Sequence, residues 1–70
     1  MSLQQVIQRN RKRLMMIKGV EGVGAGAKTA DPQERCILVY TNVDHWPADL
    51  PRQLDGYEVE IQRTSGFHIL

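Results

Sequence analysis

The pattern of apolar and polar positions divides the chain into a helix followed by strands. Leu3, Val6, Ile7, Leu14 and Ile17 fall within about 100° of one another at 3.6 residues per turn, and Arg9, Lys12 and Arg13 lie on the far side or at its edge. Ser2, followed three residues later by Gln5, forms a capping-box pattern that starts the helix at Leu3. Gly19 is expected to stop it by taking the left-handed C′ conformation. Asn10 interrupts the apolar stripe, which reads as a partly exposed edge, and Met15 and Met16 fall off the stripe.

From Val20 the period changes from helical to twofold. Val20, Gly22, Gly24 and Gly26 are predicted on one face of a strand, with Glu21, Val23, Ala25 and Ala27 on the other. Glycine weakens a strand, so three at alternate positions point to close approach of another backbone, a helix or a ligand. Asp31-Pro32 then reverses the chain into Cys36 to Val43, which is apolar on both faces: Cys36, Leu38 and Tyr40 on one, Ile37, Val39 and Val43 on the other. One helix covers one face only, so the second cover is expected from a second copy of the chain.

Pro47 and Pro51 make Asp44 to Asp55 irregular, and Asp55-Gly56 turns into a strand in which Tyr57, Val59 and Ile61 alternate with Glu58, Glu60 and Gln62. Phe67 to Leu70 is expected as a short fourth strand or an apolar tail. The predicted fold class is α+β: an N-terminal amphipathic helix on a small, mostly antiparallel sheet of three to four strands, forming a single domain over residues 1–70.

Size sharpens the need for a partner. A chain of 70 residues buries only ~60% of the surface its unfolded form exposes. One cysteine, Cys36, closes no intramolecular bridge, and Cys36, His45 and His68 share no metal-ligand spacing, so neither disulfide, metal nor cofactor is expected. Association is the remaining remedy. We therefore expect a homo-oligomer, a dimer first, with Ile37, Val39, Phe67, Ile69 and Leu70 at the interface and Gly22, Gly24 and Gly26 as a contact strip for a partner or ligand. The first eighteen residues hold five basic residues and no apolar run, and no stretch approaches the ~20 residues that cross a bilayer, so the expected setting is cytoplasmic with no membrane partner.

The net charge of +1 hides an asymmetry: residues 1–18 carry +5 and residues 19–70 carry −4. Arg9, Arg11, Lys12 and Arg13 make nucleic-acid or anion binding the alternative function, ranked behind association because no aromatic pair is set to stack bases. Enzymatic chemistry has less support. Gly22 to Lys28 matches neither a Walker loop nor a dinucleotide fingerprint, since its glycines follow a helix and lead into a strand. Asp44-His45 is the one acid–imidazole pair, but no nucleophile stands at a motif spacing from it, so the chain is read as no enzyme.

Taken together, Ile17 to Gly26, the strand Cys36 to Tyr40, the Leu50-Pro51-Arg52-Gln53-Leu54-Asp55-Gly56-Tyr57 segment and the ending Thr64 to Phe67 resemble a small bacterial domain of uncharacterised role, found alone or ahead of trypsin-like protease domains. The similarity spans nearly the whole chain, and its motifs are structural. Lys18 departs from the proline that the family often places before the glycine. The resemblance implies an accessory or interaction domain, and it does not imply proteolysis here, because no protease triad is present.

Overall fold

The computed structural model describes residues 2–64. Its element order is α1 (Leu3–Met15), β1 (Val20–Ala27), β2 (Arg35–Thr41), β3 (Gln53–Leu54) and β4 (Tyr57–Arg63). The four strands form one sheet in the order β1-β2-β4-β3 with α1 packed on one face, the α+β class expected.

The capping box forms: the Gln5 N–H donates to Ser2 Oγ (3.2 Å) and the Ser2 N–H to Gln5 Oε1 (3.0 Å). Val6, Ile7 and Leu14 bury the stripe, and Leu3 and Ile17 pack at its margin. Asn10 is half-buried and satisfied within its own helix, its amide donating to the Val6 carbonyl (2.8 Å) and its Oδ1 accepting from Arg13 (3.1 Å). The helix ends earlier than Gly19. Met16 is its C-cap, and Gly19 instead occupies the turn closed by the Val20 N–H on the Ile17 carbonyl (3.1 Å), where its φ of +96° demands glycine.

β1 and β2 form the expected antiparallel hairpin, with Val23 opposite Val39 and Gly24 opposite Leu38. A bulge between Val20 and Gly22 brings Val20 opposite Thr41, which returns Val20 to the helix side instead of the glycine side. β2 then pairs in parallel with β4, Ile37 beside Val59 and Val39 beside Ile61. A parallel neighbour requires a crossover, and residues 42–56 supply it without a helix. Leu50 is buried and Trp46 packs against the core, so this segment shares the cover of the α1 face. The Trp46 indole N–H holds the segment closed on the Leu50 carbonyl (2.7 Å).

The crossover also contributes the outer strand. β3 pairs antiparallel with β4 through Asp55-Gly56, whose φ values of 48° and 87° match the two-residue hairpin turn that favours Asp-Gly. The short strand expected at Phe67 to Leu70 lies outside the described residues.

Ile37 and Val39, expected at an oligomer interface, are both 0% exposed and lie in the chain's own core with Val6, Leu14 and Val59. Their cover is intramolecular: the face that carries Ile37 and Val39 is the one on which α1 and the crossover pack. No described helix is long and apolar enough to cross a membrane.

Two of the glycines on β1 differ in what surrounds them. A Cβ at Gly26 would lie 3.1 Å from Leu38 Cδ2 and 3.2 Å from Leu38 Cβ, whereas one at Gly24 meets nothing within 4 Å. Gly26→Ala is expected to lose about 1 kcal/mol or more through overpacking, and Gly24→Ala to be neutral or to gain about 0.5 kcal/mol from reduced unfolded-state entropy. Urea denaturation of the two variants checks the contrast.

Candidate functional site

Strand alternation gives the sheet two unlike faces. Val23, Ile37, Val39, Val59 and Ile61 face α1 and the crossover, while Gly22, Gly24, Gly26, Cys36, Leu38, Tyr40, Glu58, Glu60 and Gln62 share the other face. No described helix lies on that second face. Leu38 leans over Gly26 and Tyr40 over Gly22, the Tyr40 ring coming within 3.4 Å of where a Cβ would stand. The glycines thus let the two larger side chains of β2 lie partly across β1, and both remain half-buried.

One end of this face is closed by charge. The Lys28 ammonium bonds Glu34 (2.7 Å) and reaches across β2 to Glu58 on β4 (3.2 Å), level with Cys36. Beside it the Thr29 N–H and hydroxyl donate to the Glu60 carboxylate, the hydroxyl at 2.9 Å. Both carboxylates hold the Lys28 ammonium, Glu34 most strongly, and raise its pKa above 10.5. Cys36 is 0% exposed. Burial, with the Glu60 charge second, raises its pKa above 9.0, which keeps it a thiol at neutral pH.

The opposite end is closed by the bulged Glu21. Its carboxylate accepts from the Thr64 hydroxyl (2.6 Å) and the Asn42 amide (3.3 Å), while the Thr64 N–H donates to the Thr41 carbonyl (2.7 Å). These bonds tie the ends of β1, β2 and β4 together. The contacts of Glu21 with Thr64, Lys28 with Glu58 and Glu60 with Thr29 leave no signal in local spacing, because each joins residues about 30 or more positions apart in the chain.

The basic residues of α1 do not form one patch. At 100° per residue Lys12 points away from the core, while Arg11 and Arg13 flank the stripe on opposite sides, a spread of roughly 200° from Arg11 to Arg13. Arg9, Arg11, Lys12 and Arg13 are all exposed, and α1 carries no acid in its first turn. Met16, beyond the last turn, is 80% exposed.

Asp44 and His45 are not brought into partnership. Asp44 pairs with Arg63 at the end of β4. His45 is exposed and lines a shallow cleft of 350 Å³ with Lys18, Asp49 and Ile17. A neighbouring cleft of 370 Å³ adds Arg13 and Pro51, so the pair lies between the helix end and the crossover. Neither lining includes a hydroxyl or thiol, and Cys36 is buried on the opposite face of the sheet. Arg52 stacks over Trp46 with its guanidinium carbon 4.3 Å from the ring centroid, an arrangement that shapes the crossover's outer surface. No group of three or more His, Cys, Asp or Glu side chains positioned for a metal occurs among the described residues. Phe67, Ile69 and Leu70 lie outside them.

No protein-family model, curated protein or solved structure matches the chain.

The Lys28 bridge has a signed pH dependence. A lysine pKa raised in the folded state contributes stability that is complete below the unfolded pKa and disappears as pH rises through the folded value. Lys28→Met is therefore expected to be less stable than the parent at neutral pH, with the difference shrinking above pH 10.5. Urea midpoints measured on both sides of that pH provide the check.

Proposed function

We propose that this chain is a non-enzymatic interaction module that works by self-association, with the sheet as the contacting surface. The observation that carries the reading is the state of β1. It is an edge strand of eight residues, and the face it lines with Leu38 and Tyr40 carries no described helix. A small domain with one filled face and one long exposed edge gains stability by adding another chain there. The glycine strip serves this role by keeping the surface flat enough for a close neighbour.

A second reading is nucleic-acid or anion binding through α1, favoured by the exposure of Arg11 and Lys12 on a helix that buries its apolar stripe elsewhere. It requires only positive charge at an accessible surface. The wide angular spread of the four bases places it second, because a single phosphate backbone meets only part of that arc.

Size-exclusion chromatography with light scattering, run across a concentration series on protein purified without nuclease, tests both. A dimer whose absorbance spectrum is that of protein is the expected result. A monomer at every concentration overturns self-association. A monomer carrying nucleic-acid absorbance that is lost with added salt, and in the Arg11→Gln/Lys12→Gln variant, establishes the second reading instead.

A further inference from the structure

The direction in which β1 points its peptide groups determines what can be added to it. The Lys28 N–H donates inward to the Glu34 carbonyl (2.9 Å), and β2 obeys the matching alternation, with Asn42 donating back to Gly19 (2.9 Å) and Thr41 accepting from Thr64 on the β4 side (2.7 Å). In an antiparallel ladder, bonded and non-bonded pairs alternate. Gly26, Gly24 and Gly22 therefore spend their N–H and C=O groups on Cys36, Leu38 and Tyr40. Val23, Ala25 and Ala27 turn theirs to the outer edge.

That outer edge lacks the features that normally block strand addition. Between Gly22 and Ala27 there is no proline and no charged side chain, and Ala25 and Ala27 are exposed. The bulge is confined to the Val20 end. The far edge of the sheet is different, because β3 is only two residues long. Among the described residues β1 is therefore the longer edge without a neighbouring strand, and pairing that edge once per chain closes a pair about a twofold axis.

We infer that the β1 edge pairs antiparallel with β1 of a second copy about a twofold axis at Ala25, joining two four-stranded sheets into one. In this register Ala25 meets Ala25 of the second copy and Val23 meets its Ala27, each outward-facing pair exchanging two hydrogen bonds. Every outward peptide group from Val23 to Ala27 finds a partner. The charged residues at the two ends of the strand turn inward, Lys28 to Glu34 and Glu58 and Glu21 to Thr64 and Asn42, and so stand clear of the incoming strand. Gly24 then lies opposite Gly26 of the second copy, and the glycine strip doubles in width with no side chain to obstruct it. The inference rests on the self-association reading and specifies its geometry.

Amide hydrogen exchange read residue by residue at low and high protein concentration, beside light scattering on the same samples, tests it. The amides of Val23, Ala25 and Ala27 are expected to exchange at least about tenfold more slowly once the dimer forms, while Gly22, Gly24 and Gly26 are protected throughout. Ala25→Pro removes one outward donor and no bond to β2, and is expected to weaken association by at least about tenfold. Ala25→Cys should be linked into a covalent dimer by a short bifunctional thiol reagent, since the paired Cα atoms stand about 5.5 Å apart, and faster than Ala30→Cys in the exposed hairpin loop. A dimer in which Val23, Ala25 and Ala27 exchange freely overturns the edge geometry and leaves self-association standing. Protection that is independent of concentration also overturns it, by showing the edge covered within one chain. A monomer at all concentrations overturns both.

Discussion

Strand β2 is the constraint on which the rest of the structure depends. It is hydrogen-bonded on both sides, antiparallel to β1 and parallel to β4, and Cys36, Ile37, Val39 and Thr41 are all 0% exposed. A strand in this position must have its two faces filled by different means. On one face α1 and the crossover pack against Ile37 and Val39. On the other, there is no second layer among the described elements, and small neighbours and ion pairs do the covering: glycines allow Leu38 and Tyr40 to lie across β1, and the Lys28 bridge passes level with Cys36.

The parallel β2–β4 pair explains the irregular middle of the chain. Two parallel strands cannot be joined by a tight turn, so residues 42–56 must travel from one end of the sheet to the other. Here that path carries Leu50 and Trp46 into the core and returns through a two-residue hairpin, so the crossover acts as both packing layer and outer strand. Its prolines, which exclude a long helix, are compatible with this role. The same geometry leaves His45 in a surface cleft and commits Asp44 to Arg63.

Polar groups secure the two ends of the sheet, and between them no described strand pairs with the outer edge of β1. Glu21, Asn42 and Thr64 join three strands at one end, and Lys28, Glu34, Glu58 with Thr29 and Glu60 do so at the other. Between them β1 presents small side chains and outward peptide groups. Exposed ion pairs of this kind contribute little to stability individually. Their larger effect is to tie β1 to β4 across β2, since Glu21 reaches Thr64 and Lys28 reaches Glu58.

Much of the fold was legible because it depends on local rules. The capping box, the stripe of Val6, Ile7 and Leu14, the hairpin through Asp31-Pro32, the Asp55-Gly56 turn and the alternation of Tyr57, Val59 and Ile61 each follow from the spacing of neighbouring residues. The place of Gly19 was half legible: its left-handed conformation could be read, but not that the helix would finish at Met15 and leave it to the next turn. What lay beyond the sequence was pairing between distant segments. Nothing local distinguishes a parallel β4 from an antiparallel one, announces the bulge that turns Val20 to the core, or assigns Ile37 and Val39 to the chain's own helix. Those outcomes depend on which segments share a layer, and so does the linking of Glu21 to Thr64 and Lys28 to Glu58. Periodicity and turn chemistry act over a few residues, so the elements follow from local spacing; which apolar face is filled, and which described strand lies at the edge, depends on residues brought together from opposite ends of the chain.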